Sequence, residues 1–287
     1  MPGTYVEDIV KTMPSFAEFS ERLAWLADRE SATRDDVSDH CEGVAHFAAL
    51  LATETGMSVE EIEAVRSAAR WHDIGKLATP SEILRKPGRH NPDEAGIMRQ
   101  HARDGLKLLG DDAPENWKDV ALYHHERYDG HGYEGLKGED IPFAARIVSI
   151  ADVRDALVKE RPYKKSMSEE KALFLMISDG EAPSVGRRAF DPYLLRVFVS
   201  MRLRDPALIV APEARATLSA FAGSDPMSDI PFGREGNGGW VVKRSGYRIR
   251  YETADNGNVR MTDLRSPTGK VLDIRQYQRP GIRMAFD

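Results

Sequence analysis

The chain has a single cysteine, Cys41, among 287 residues, so no internal disulfide can brace it and stability must come from a packed core. It has no run of eighteen apolar residues, which argues against a membrane-spanning helix. The opening MPGTYVEDIVKTMP lacks the basic start and apolar stretch of a secretory leader. With the lone thiol, this leads us to expect a cytoplasmic protein. A net charge of −6 argues against a general nucleic-acid binder. What is present is 41% apolar and 30% charged residues, the mix of a globular protein with room for one large domain and a small appendage.

Charge and pattern both change near residue 230. Residues 231–287 carry 11 Lys and Arg against 6 Asp and Glu, and the preceding residues carry 29 against 40. Residues 14–220 show helical periodicity, as in PSFAEFSERLAWLADRE and HCEGVAHFAALLATETG. After GSDPMSDIPFGREGNGG the runs alternate, and the turn signals Asp255-Asn256-Gly257-Asn258 and Pro267-Thr268-Gly269 separate three or four strand-like segments. The expected architecture is mainly α, with a helical domain over 1–222, a linker over 223–239 and a small β-rich appendage over 240–287.

Within the helical part, Asp36 and His40 lie four apart and share a helix face. His72 and Asp73 close the segment VEEIEAVRSAARWHD. His101 falls in DEAGIMRQHARDGLKLLG, read as one helix with Asn91 as N-cap and Pro92 at its first position. His124, His125 and Glu126 end NWKDVALYHHE, and Asp152 lies in ARIVSIADVRDAL. Any one of these histidines alone reads as an ordinary hydrogen-bonded side chain, and His46 and His90 stay in that class. Cys41 reads as a small buried apolar residue. The ordered set of imidazoles and carboxylates suits Fe, Mn or Zn better than Mg or Ca.

The stretches HDIGK, ILRKPG, HHERYDGHGYEGLKGEDIPFAARIVSIADVRDAL and RPY, in that order, resemble the HD-GYP family, a metal-dependent cyclic-di-GMP phosphodiesterase branch of the HD superfamily. The resemblance runs from about Asp36 to Leu203 and implies an HD-type helical bundle. It implies two divalent ions, Fe or Mn, held by His40, His72, Asp73, His101, His124, His125 and Asp152. Some members hold a third ion with a Glu four residues before the first His; Asp36 stands there, one methylene shorter, as the candidate third-metal ligand. Arg146 and Arg161 are the implied substrate-side candidates, with a structural ion pair as the alternative for each.

Paired ions acidify water and clamp a phosphoryl oxygen, so the implied reaction is hydrolysis of a phosphodiester. Asp73 and Lys76 are the catalytic candidates: three residues past Asp73, the lysine is placed to neutralise charge on the phosphoryl oxygens. The chain departs from the family where Gly-Tyr-Pro becomes Gly132-Tyr133-Glu134, and where Gly43 replaces a common arginine. Tyr133 and Glu134 are taken as substrate-side residues, Glu134 adding a negative charge that would repel an anionic substrate. Three readings follow: a cyclic-dinucleotide phosphodiesterase, an HD phosphohydrolase acting on another nucleotide, or a binding module with a retired site. The loop and the basic appendage are candidate surfaces for a protein partner; no membrane or nucleic-acid partner is expected.

Overall fold

Small side chains set the spacing of the central helices. Val44, Ala48, Leu51 and Ala52 of α3 (Asp35–Glu54) meet Val65, Ala68 and Ala69 of α4 (Val59–Arg70), and Ile147, Val148 and Ala151 of α9 (Phe143–Val158) join the same buried cluster. Alanines let helix axes approach closely, and each fully buried Leu or Ile adds roughly 1.5–3 kcal/mol of transfer free energy. Phe190, Leu194 and Phe198 extend this cluster through α11 (Pro192–Arg204).

The computed structural model describes residues 5–15, 18–33, 35–159, 166–178, 187–223, 240–242, 248–253 and 259–265. Besides those named, the helices are α1 (Tyr5–Thr12), α2 (Phe19–Thr33), α5 (Ser81–Leu84), α6 (Pro92–Arg99), α7 (His101–Leu109), α8 (Glu115–Tyr123), α10 (Glu169–Ile177) and α12 (Pro212–Gly223). The fold is mainly helical. A second cluster, built on Leu26, Ile74, Leu108, Leu109 and Ala121, packs α2, α7 and α8 around a 3₁₀ turn at Ile74–Ala78. No described helix is long and apolar enough to cross a membrane.

Capping explains several boundaries. Ser58 with Glu61, and Asn91 with Glu94, form reciprocal capping boxes at the starts of α4 and α6, with Pro92 at the first turn as expected. The stretch expected to be one helix from 93 to 110 is two. The Gln100 N–H turns back to Ile97 O at 3.1 Å, and His101 Nδ1 takes Met98 O at 2.6 Å. In an unbroken helix that carbonyl would accept the N–H of Ala102, so the imidazole helps end α6.

Near the C-terminus, strands β1 (Trp240–Val242), β2 (Arg248–Thr253) and β3 (Val259–Arg265) pair antiparallel in that order, with an irregularity between Arg250 and Tyr251. The expected turns at 255–258 and 267–269 and the last strand-like run lie outside the described residues.

Candidate active site

Five segments bring the polar residues to one place. His40 projects from α3, one turn before Val44 joins the core. α4 ends at Arg70, and the chain turns through Trp71, His72 and Asp73 into the short 3₁₀ helix, so His72 and Asp73 sit in a turn and not on the helix expected there. His101 opens α7; His124 caps α8 and His125 follows it. Asp152 lies in the middle of α9. Gly75 decides how near these parts come. A Cβ there would run into the His101 carbonyl and the Gly105 N–H, so only glycine lets the turn carrying Asp73 lie flat on α7.

Four histidines are held in the same way. The Nδ1 atoms of His72, His101 and His124 lie 2.7, 2.6 and 2.9 Å from the carbonyls of Ala69, Met98 and Val120. A carbonyl only accepts, so each Nδ1 donates, and in the neutral imidazole the lone pair is then on Nε2. His40 Nδ1 meets the carboxylate of Asp155 at 2.6 Å. The Nε2 atoms then converge. His72 and His40 lie 3.3 and 3.8 Å from Asp73 Oδ2, and His101 and His124 lie 3.4 and 3.7 Å from Asp73 Oδ1. His101 and His124 face each other at 3.4 Å between Nε2 atoms.

Donor atoms of Asp73, His101, His124 and His125 lie within 4.8 Å of one another, and so do those of His40, His72 and Asp73. Asp152 Oδ1 stands 3.1 Å from His40 Nε2 and 4.0 Å from His72 Nε2, beside the second group. The arrangement fits bound cations. His72 Nε2 and Asp73 Oδ1 are fully buried with no hydrogen-bond partner, and lone pairs that face one another without a proton need positive charge between them. Nitrogen and carboxylate oxygen together match a borderline transition metal.

The two groups differ electrically. Burial pushes His40 and His72 down, but carboxylates outweigh it, Asp152 and Asp155 for His40 and chiefly Asp73 for His72, and both end raised. Burial dominates at the other group: it lowers His101 to about 3 and His125 to about 4, and His124 falls well below the usual imidazole range. Asp73 and Asp152 resist burial and end well below the ordinary carboxylate range, Asp73 chiefly through Lys76 and His72, Asp152 through His40.

Lys76, three residues on in the 3₁₀ turn, places its ammonium on Asp73 Oδ2, as the eclipsed i,i+3 spacing of that helix allows. Tyr133 packs its ring 4.7 Å from that of His125. Glu134 corrects an expectation. Its carboxylate is matched by Arg103 in a bidentate pair, both contacts 2.8 Å, so it presents no bare charge to an anion. Arg146 is buried and pairs with Asp191 at 2.5 Å and with the Ile141 carbonyl at 3.0 Å, which is the structural alternative left open for it. Arg161 and the side chain of Asp36 lie outside the described residues; the backbone of Asp36 is in α3. His46 edges against Phe47, and His90 bonds to the Ile83 carbonyl, both apart from the cluster. Cys41 is buried, as expected, with its thiol beside His72.

Two carboxylates have roles that the sequence reading did not give them. Asp155 orients His40, and its position one turn after Asp152 was the available signal. Glu126, in the HHE run, is buried and accepts the backbone N–H of Glu134 at 2.6 Å and of Leu136 at 2.5 Å. Gly43 also gains a reason: a Cβ there would strike the Asp155 carboxylate, and Lys159, 3.8 Å from that carboxylate, supplies a basic group on this side.

Three curated relatives match parts of the chain. The cyclic di-GMP phosphodiesterase response regulator RpfG of Xanthomonas campestris pv. campestris is 41% identical over 177 residues, 60% of this chain and 45% of that protein. A cyclic di-GMP phosphodiesterase of Thermotoga maritima is 37% identical, covering 65% of this chain and 50% of that protein. The 3'3'-cGAMP-specific phosphodiesterase 2 of Vibrio cholerae is 35% identical, covering 66% and 36%. The chain thus spans half or less of the length of these relatives. The HD domain profile matches residues 9–185, a span that holds the whole histidine and aspartate cluster, and the chain belongs to the HD domain family.

Proposed function

We propose that this protein is a divalent-metal-dependent phosphodiesterase that opens a cyclic dinucleotide, cyclic di-GMP first, to linear pGpG, GMP or both. The observation that carries the reading is the convergence of inward-facing imidazole nitrogens, their Nδ1 atoms anchored, on the partnerless Oδ1 and the Oδ2 of Asp73. His40, His72, Asp73 and Asp152 would hold one ion, and Asp73, His101, His124 and His125 the other, with iron or manganese suited to the donors. Bound there, such ions supply an acidified water and positive charge toward the phosphoryl oxygens.

The chain's own residues orient and balance this site. The backbone carbonyls and Asp155 fix the tautomers and ring planes of His40, His72, His101 and His124. Lys76 sets a further positive charge beside the shared carboxylate, where it can stabilise charge that grows on the phosphoryl group. Asp36 is the candidate ligand for a third ion, and Arg161 remains a substrate-side candidate. We also propose the division into a helical domain over 1–222, a linker over 223–239 and a separate β appendage over 240–287. That basic segment is a candidate partner surface.

A second reading, 3'3'-cGAMP as substrate, draws support from the name of the Vibrio relative at 35% identity. Turnover of cyclic di-GMP, 3'3'-cGAMP, cyclic di-AMP and linear pGpG, with Fe(II) or Mn(II) supplied anaerobically, separates the readings. Ring opening of one cyclic dinucleotide is the expected result. Cleavage of the linear dinucleotide alone would assign a phosphohydrolase, and tight binding with no product at full metal content would assign a binding module.

A further inference from the structure

Two arginines stand two residues to either side of His101, and the Gly132-Tyr133-Glu134 loop takes hold of both. Arg103 donates Nε and Nη2 to the two oxygens of Glu134. Arg99 lays its guanidinium over Tyr133, 5.2 Å from the ring centre. The same ring lies 4.7 Å from His125 and 6.4 Å from His101. Arg103 is therefore matched by a carboxylate. Arg99 is exposed and, among the described residues, has no carboxylate within ion-pair distance.

The backbone under the loop is also held. Glu126 accepts its two N–H groups, and a Cβ on Gly132 would come within 2.5 Å of Glu126 Cα and 2.6 Å of its Oε1. With the backbone pinned at 134 and 136 and the Glu134 side chain pinned to α7, Tyr133 has little freedom to leave His125. A guanidinium stacked on a ring keeps its edge N–H groups available, and a planar fork of donors suits two phosphate oxygens.

We propose that Arg99 is an anion-binding residue at the edge of the cluster, presented by Tyr133, and that the Arg103–Glu134 pair is the latch that positions Tyr133. Its ligand is a phosphate group of the nucleotide. The assignment rests on the phosphodiesterase reading for that identity, while the latch and the anion site stand on the geometry alone. Glu134 then serves the role that a stiff residue would serve in the loop, through a charge pair and not through backbone restraint. Proline at 134 would remove the N–H that Glu126 accepts.

The test uses the full chain as purified with metal. Three readouts are taken: inorganic phosphate binding, amide exchange over residues 130–138, and KM and kcat on cyclic di-GMP. Arg99→Ala should weaken phosphate binding and raise KM by roughly tenfold, the scale of one charge-assisted hydrogen bond, with a smaller fall in kcat. Arg99→Lys should recover part of that loss. Arg103→Ala and Glu134→Gln should each speed amide exchange in the loop and raise KM by about threefold. The double variant should be no worse than either single, as expected when both break one contact. Exchanging the pair, Arg103→Glu with Glu134→Arg, should restore slow exchange. Unchanged phosphate binding in Arg99→Ala overturns the anion site, and fully additive effects at 103 and 134 overturn the latch. If no nucleotide is turned over, the phosphodiesterase reading fails by itself, and phosphate binding and amide exchange still decide this one.

Discussion

The two ends of the histidine cluster share Asp73 and differ in almost everything else. At the His40 and His72 end, carboxylates surround the imidazoles: Asp152 Oδ1 at 3.1 Å and Asp155 at 2.6 Å from His40, and Asp73 at 3.3 Å from His72. At the other end, three imidazoles from α7 and the end of α8 crowd together, His124 and His125 with ring centres 4.0 Å apart, and Asp73 is the carboxylate of the group. One end is rich in oxygen donors and negative charge; the other is rich in neutral nitrogen. The lesson is that a single carboxylate, held in a turn between α4 and α7, joins two unlike donor groups, so the ends need not bind a cation with equal strength.

The largest expected effect comes from breaking what the ends share. Asp73→Ala should take metal content from about two ions per chain to well under one and abolish turnover, because both donor groups lose their common carboxylate. Elemental analysis with activity checks it; two ions retained would show that the ends are independent of Asp73. Next, His72→Ala and His101→Ala should each remove about one ion and leave the other. Loss of both ions from either variant would mean that the two ends fill only together.

Lys76 touches the shared carboxylate without supplying a metal-binding lone pair while it carries its proton. Lys76→Ala should lower kcat by roughly 10²–10³, the scale of one preorganised donor, with both ions kept. Metal lost along with activity would instead give the ammonium a structural role beneath Asp73. The smallest effect should fall on one end alone. Asp155→Asn should weaken metal binding at the His40 end by roughly 10–100-fold and leave the His101 end unchanged, as expected for a group that orients a ligand. Titration of metal into the stripped variant, read as two separate affinities, decides it; equal weakening at both ends would erase the contrast between them.

The candidate ligands were named through the resemblance to the HD-GYP family, and local sequence showed only that some of them are adjacent or share a helix face. His72-Asp73 and His124-His125 are contiguous, and residues four apart on a helix share a face. The helix starts at Ser58 and Asn91 were legible for the same local reason, since a cap depends on three or four neighbouring residues. The break at Gln100 was not, because it depends on the His101 ring claiming a backbone carbonyl. Nor was the fate of Glu134. Its repulsive charge was inferred from loop position, yet Arg103 lies 31 residues earlier and meets it only because α7 and the loop are brought together. The same holds for Arg146, whose partner Asp191 is 45 residues away.

By itself the sequence determined a mainly helical chain, the identity of the imidazoles and carboxylates that could act together, and the lysine beside them. Those properties reside in residue type, in helical periodicity and in the ordered motifs that carry the family resemblance. Only the tertiary structure decided which lone pairs point inward, that Asp73 lies between two unlike donor groups, and which charges near the loop are already matched. These are distances between segments far apart in the chain, set by how closely Gly75 and the alanine-lined helices allow backbones to approach.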